Sequence, residues 1–209
     1  MQKLNSVLLY GFDFVSLKND CVAINKNVNE TLFDAPQNYK TNDQTPFSTR
    51  VANFYNIFSY DSVEINSLFN KIKHQFYYLK PNPTKKYYIQ GWVNVYESGQ
   101  NLDWHTHWGD NDSYHGFFCV NSNVSYTEYI FFDGEYKKID SADGLLVITK
   151  SNNNQHRTSP CDSGDPRITI GFDIHSKNNV DKLLDKWMEL SSSSAYFDPD
   201  KMTNHWIPL

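Results

Sequence analysis

The stretch from Trp104 to Asp112 reads WHTHWGDND, and the side on which its two histidines project decides how the rest of the chain is read. In an extended strand, residues i and i+2 share a face. His105 and His107 can then aim both imidazoles at one ion about 2.1 Å from each. Two ligands do not make a site, so a third donor has to come from elsewhere. His156 offers one, in the run SNNNQHRTSP just after the apolar stretch Leu145 to Thr149, and eleven residues later Arg167 opens RIT.

Around these residues the chain reads as strands. KKYYIQGWVNVYESG (Lys85 to Gly99), HGFFCVN (His115 to Asn121), SYTEYIFFDG (Ser125 to Gly134), DGLLVITK (Asp143 to Lys150) and RITIGFDIH (Arg167 to His175) are rich in β-branched and aromatic residues and are separated by turn formers. Several strands without helical patterns between them predict a sandwich or jelly-roll barrel. A helix is expected from Asp61, where Asp61 and Glu64 have capping-box spacing and Ile65, Phe69, Ile72 and Phe76 recur on one face, ending before Pro81 and Pro83. A second follows Asn178, with Val180, Leu183, Leu184 and Trp187 as its apolar positions, and Ser191 to Ser194 then reads as a loop. The tail, with Phe197, Trp206 and Ile207, is expected to pack on the body. Residues 1 to 60 show neither a helical period nor a chemical motif. The expectation is one mainly β domain over 1–209, with a barrel core at about 85–176 and flanking helices at its two ends.

Composition narrows the functions. Of 209 residues, 16% are aromatic and the formal net charge is −5 without a basic run, which argues against a phosphate-driven nucleic-acid surface and a cationic membrane helix. Cys21, Cys119 and Cys161 are odd in number and irregular in spacing, unlike a disulfide framework or zinc ribbon. The opening MQKLNSVLLYGFDFV holds only a short apolar run, Val7 to Tyr10, too short for a signal-peptide core or a span, so a cytoplasmic protein is expected.

The order of H-x-H on a strand, further strands, a distal His and then R-x-T resembles the iron(II) and 2-oxoglutarate dependent dioxygenases of the double-stranded β-helix (jelly-roll, cupin-like) fold. Their pattern is H-x-D/E, a distal His, about ten residues and R-x-S/T. The likeness covers roughly Trp92 to Ile174. It is similar in particular to a bacterial and phage branch, whose elements read here NVYESGQNLDWHTH, DGLLVITKSNNNQH and RITIGFDI. The resemblance implies iron(II) on His105, His107 and His156, and 2-oxoglutarate chelating that iron with its far carboxylate on Arg167, whose fork suits a carboxylate. Thr169 would donate to the same carboxylate, Tyr96 would reach the co-substrate, and Asn94 shares the face of Tyr96. With O2, an organic or protein substrate would be hydroxylated and succinate and CO2 released. One departure stands out: His107 occupies the place of the family's carboxylate. Three readings stay open: His107 is the third ligand, which strand geometry favours; Asp110 swings in from the loop beyond Gly109; or His107 faces outward. Two other functions compete, a 2-oxoglutarate-independent three-histidine iron dioxygenase of cupin type and a non-catalytic binding or virion-associated β-sandwich.

Other notable residues carry plainer expectations. Trp104 and Trp108 alternate with the histidines and are expected in the core with Thr106 on their side. Tyr114, Phe117 and Phe131 are expected in the sandwich interior rather than in a substrate pocket. His74, His175 and His205 are read as surface or satisfied core residues, His115 as packed or exposed rather than functional, and Glu128 and Asp133 as solvated.

Overall fold

The computed structural model describes residues 4–32, 47–48, 56–152, 154–161, 164–191 and 206–209. Its strands are β1 (Leu4–Leu8), β2 (Phe47–Ser48), β3 (Tyr87–Tyr96), β4 (His105–Thr106), β5 (Ser113–Asn121), β6 (Tyr126–Ile130), β7 (Tyr136–Asp140), β8 (Leu145–Lys150), β9 (Gln155–Thr158), β10 (Arg167–Ser176) and β11 (Ile207–Pro208). The helices are α1 (Phe14–Leu32), α2 (Val63–Tyr78) and α3 (Lys177–Ser191), with a short 3-10 turn at Ile57–Ser59.

The pairings nest. β3 pairs with β10, β4 with β9, β5 with β8 and β6 with β7, all antiparallel. The chain from Tyr87 to Ser176 is therefore one long hairpin, wound so that successive pairs fall alternately into two sheets. The larger sheet runs β1-β8-β5-β10-β3-β11, with β2 also on β3, and the smaller runs β4-β9-β6-β7. This is the double-stranded β-helix, and the mainly β jelly roll expected from the strand runs is what forms.

Strand β10 shows why the barrel has two kinds of filling. All ten of its residues are buried, yet their chemistry alternates with the pleat. Ile168, Ile170, Phe172 and Ile174 join the main core with Leu17, Cys21 and Ile24 of α1 and Ile65, Leu68, Ile72 and Phe76 of α2. Arg167, Thr169, Asp173 and His175 fall on the opposite face, toward the smaller sheet. The inward face of β10 is thus polar along most of its length, and a second apolar cluster of Cys119, Tyr129, Phe131, Leu145 and Val147 packs elsewhere in the barrel.

The helical layer departs from the sequence reading in two places. Helix α1 lies in the stretch read as featureless. Among the residues whose side chains are described, its buried stripe is Leu17, Cys21 and Ile24, at i, i+4 and i+7, diluted by asparagines, which makes a thin period. The Asp13 carboxylate accepts from the backbone amides of Val15 at 3.1 Å and Ser16 at 3.2 Å, which satisfies its first turn. In α2 the cap is Ser62 rather than Asp61. The Ser62 hydroxyl accepts from the Ile65 amide at 3.4 Å and donates to Asp20 at 2.5 Å, so it also ties the two helices together. Leu68 is fully buried on the face where Phe69 was expected, and Phe69 is only partly so. Strand β7, YKKID, went unread because its lysines face solvent at the sheet edge. Trp206 and Ile207 pack on the body, against His175 and β3; Phe197 and His205 lie outside the described residues. Among the described residues no helix is long and apolar enough to cross a membrane.

Candidate metal centre

β4 and β9 are neighbours in the smaller sheet, and their register sets His105 directly opposite His156. His107 follows on the same side two residues later. The three side chains each offer a ligand atom within 4.8 Å of the others, with His107 and His156 buried and His105 half-buried. Ring centroids are 4.1 Å apart for His105 and His156, 5.1 Å for His107 and His156, and 5.5 Å for His105 and His107. Three imidazoles this close are within reach of one ion, and imidazole is a donor for iron, zinc, copper and nickel alike.

Two of the rings have their tautomers set. Nδ1 of His105 lies 2.7 Å from the carbonyl oxygen of Asp103, which can only accept, so Nδ1 carries the proton and Nε2 is the donor. Nδ1 of His107 lies 2.5 Å from Oδ1 of Asp173, which fixes the same tautomer. Trp92 stacks on His107 with centroids 6.0 Å apart and planes 17° from parallel. Room for that indole comes from Gly171, opposite it on β10, where a Cβ would sit 2.7 Å from Trp92 Nε1.

Two residues here had no role in the sequence reading of the site, and one of them, His115, was expected to be packed or exposed and is packed. His115 on β5 is buried, and its packing partners are the site imidazoles, His107 at 4.4 Å and His156 at 4.8 Å, both nearly parallel. Asp173 is the other. Its signal was available, since counting by twos from Arg167 along β10 reaches it on the inward face. Asp110 is placed elsewhere: its Oδ1 accepts from Asn179 Nδ2 at 2.6 Å and from the Asp112 amide at 2.8 Å. Gly109 closes that turn, where a Cβ would fall 2.2 Å from Ser113 Cβ.

Trp104 and Trp108 overturn the core expectation. Trp104 stacks beneath the Arg157 guanidinium at 4.9 Å, and Trp108 is 43% exposed with its edge on His175. The alternation was right and its destination wrong, because the described helices pack against β3, β5 and β10 of the larger sheet. Glu128, read as solvated, is buried beneath Arg157 and Tyr136, both 2.5 Å away. His175 is a satisfied core residue, 2.8 Å from Ser113 Oγ, and His74 is exposed.

One end of β10 and β3 gathers the remaining candidates. Arg167 lies opposite Tyr96 and Thr169 opposite Asn94. The Arg167 side chain is 1% exposed, and its guanidinium sits 5.0 Å over the Tyr96 ring. Nη2 donates to Thr127 Oγ1 at 3.3 Å, while Nε and Nη1 have no hydrogen-bond partner among the described residues. Thr127, which holds the guanidinium, is two residues along β6 from Tyr129, which pairs with His156, about 7 Å along that strand. Thr169 Oγ1 accepts from Asn94 Nδ2 at 3.3 Å, which leaves its own proton to donate. Burial pushes the Tyr96 phenol up against the opposing influence of Arg167, so it stays protonated.

The double-stranded β-helix thus brings three imidazoles within reach of one ion and buries the Arg167 guanidinium with two donors unpaired among the described residues. No protein-family model and no curated protein matches the sequence. Solved structures with the same fold include a Pseudomonas putida prolyl-4-hydroxylase (11% identity, TM-score 0.51, covering 83% of this chain and 92% of that one). Another is the non-heme alpha ketoglutarate dependent carbocyclase SnoK from nogalamycin biosynthesis (9% identity, TM-score 0.58, 83% and 79% covered). A third is AviO1 from Streptomyces viridochromogenes Tue57 (12% identity, TM-score 0.51, 84% and 90% covered). At these identities the likeness establishes a shared fold.

Proposed function

We propose that this protein is an iron(II)- and 2-oxoglutarate-dependent oxygenase acting on a C–H group of an organic or protein substrate, with His105, His107 and His156 as the iron ligands. The observation that carries this reading is Arg167. A cation buried to 1% exposure with two donors lacking partners among the described residues suits an anionic ligand, because unmade bonds at a buried charge are costly. The fold is that of proteins such as SnoK, named as alpha ketoglutarate dependent. The donor set also fits: three neutral imidazoles on one side of an ion leave its opposite positions open to a co-substrate and to O2.

Iron(II) so held would supply the oxidative chemistry, coupled to conversion of 2-oxoglutarate to succinate and CO2. The chain's own groups position and exclude. The Arg167 fork takes the far carboxylate of the diacid, with Thr169 donating its hydroxyl and Asn94 holding that hydroxyl in register. Tyr96 offers a neutral O–H to the same ligand and stacks on the guanidinium. The rings of Trp92, His107, His115 and Tyr129 stack in a column that holds the His107 imidazole in place. A three-histidine iron site also occurs without 2-oxoglutarate, and the imidazole at position 107 favours that second reading; succinate formation separates the two.

The test is an anaerobic titration of the iron(II) protein with 2-oxoglutarate, following the metal-to-ligand charge-transfer band. The wild type and Asp110→Ala should both show it, His107→Ala should lose it, and Arg167→Ala should need far more ligand. A wild type without the band overturns the proposal, and loss of iron in Asp110→Ala but not in His107→Ala reverses the choice of third ligand.

A further inference from the structure

We infer that Asp173 is a positioning residue for the metal, returning through His107 the negative charge that a carboxylate at position 107 would have brought directly. The inference rests on the metal reading above. His107 Nδ1 and Asp173 Oδ1 are 2.5 Å apart, and the two side chains are 4% and 9% exposed. A hydrogen bond from an imidazole N–H to a carboxylate is charge-assisted, and between buried groups it is stronger than one to a neutral acceptor. His105 provides the contrast inside the same site, because its Nδ1 faces a neutral backbone carbonyl at 2.7 Å. Of these two hydrogen-bonded imidazoles, the one on the carboxylate is the one where the resembling pattern has an acid.

The charge balance follows. A divalent ion with three neutral imidazoles keeps two positive charges, whereas two imidazoles and a carboxylate leave one. Adding Asp173 to the three-imidazole set brings the total back to one, with the anion a single ring away from the ion. The ring between is held firmly. Trp92 stacks on it at 6.0 Å and His115 at 4.4 Å, with planes within 17° and 8° of parallel. Asp173 in turn stands on β10, the most buried strand of the barrel, directly opposite His115 of β5. A carboxylate behind a ligating imidazole fixes the tautomer and ring orientation, strengthens the nitrogen's donation and is worth about 10- to 100-fold in metal affinity.

Asp173→Asn removes the charge and keeps the shape, and Asp173→Glu keeps the charge. Zinc(II) and cobalt(II) titrations by calorimetry, with the cobalt spectrum reporting the ligand set, should show Asp173→Asn bound about 10- to 100-fold more weakly by the same ligands. The Fe(III)/Fe(II) midpoint potential should rise in Asp173→Asn. Tenfold extra destabilisation of Fe(III) corresponds to about 59 mV, a shift that a merely structural role would not produce at an unchanged ligand set. Asp173→Glu should stay near the wild-type potential. If Asp173→Asn fails to fold, the wild-type zinc(II) protein still decides the matter by nitrogen and proton resonance. His107 should bind the metal through Nε2 and carry a strongly downfield proton on Nδ1. A wild-type potential in Asp173→Asn, or metal bound at Nδ1 of His107, overturns the inference and leaves the metal reading standing. A wild-type protein that binds none of these ions removes both.

Discussion

Replacing Arg167 by methionine separates a ligand-binding cation from a structural one, because the two roles predict opposite effects on stability. The guanidinium is buried, Nε and Nη1 lack hydrogen-bond partners among the described residues, and the compensations are a 3.3 Å bond to Thr127 and the Tyr96 ring at 5.0 Å. Each unmade bond costs about 1–3 kcal/mol, while a desolvated cation over an aromatic face regains about 2 kcal/mol. Methionine fills similar volume without a charge, so Arg167→Met should leave stability unchanged or raise it by about 1–3 kcal/mol, as happens when buried ionic groups give way to apolar ones. Binding should move the other way. Deleting one partner of a buried charge pair costs about 2–5 kcal/mol, which weakens 2-oxoglutarate by about 30-fold to several thousand-fold. Urea denaturation of the metal-free protein measures the first effect, and anaerobic titration of the iron(II) protein the second. A variant destabilised by more than about 2 kcal/mol that binds 2-oxoglutarate as the wild type does would show that Arg167 serves the fold.

Three further outcomes are expected. Zinc(II) at 100 times its dissociation constant should stabilise the wild type by about 2.7 kcal/mol, or about 5–10 °C in Tm at this chain length, whereas His156→Ala should show no such response in a thermal scan. Gly171→Ala should cost about 1–3 kcal/mol through overpacking, since its Cβ would meet the Trp92 indole, and should weaken metal binding by displacing that ring against His107; wild-type stability would refute the packing argument. Glu128 is held below its ordinary 4.5 by its bond from Arg157 first and from Tyr136 second. A lowered folded value contributes stability above the unfolded pKa and loses it as pH falls through the folded one. Glu128→Gln should therefore flatten the acid limb of a Tm series, the part lost as pH falls below the ordinary 4.5 and through the lowered folded value.

The barrel was legible because strand-forming runs bounded by turn residues are a local property of the chain. The i, i+2 spacing of His105 and His107 and of Arg167 and Thr169 was legible for the same reason. What faced each side was not. Trp104 and Trp108 alternate as a strand requires, but only the arrangement of layers shows that their side of β4 meets solvent rather than core. Asn94, Tyr96, Arg167 and Thr169 are brought together by the β3–β10 register, which sequence order cannot specify.

From the sequence alone came most of the barrel strands and two of the three helices, together with three histidines that the structure brings within reach of one ion, since backbone preference and side-chain chemistry belong to single residues and close neighbours. Only the tertiary structure decided that Asp173 stands behind His107, that His115 joins the imidazole column and that Asp110 turns away to Asn179. Each of these depends on which strands the long hairpin brings into contact when it winds, and that is settled by packing across the whole barrel.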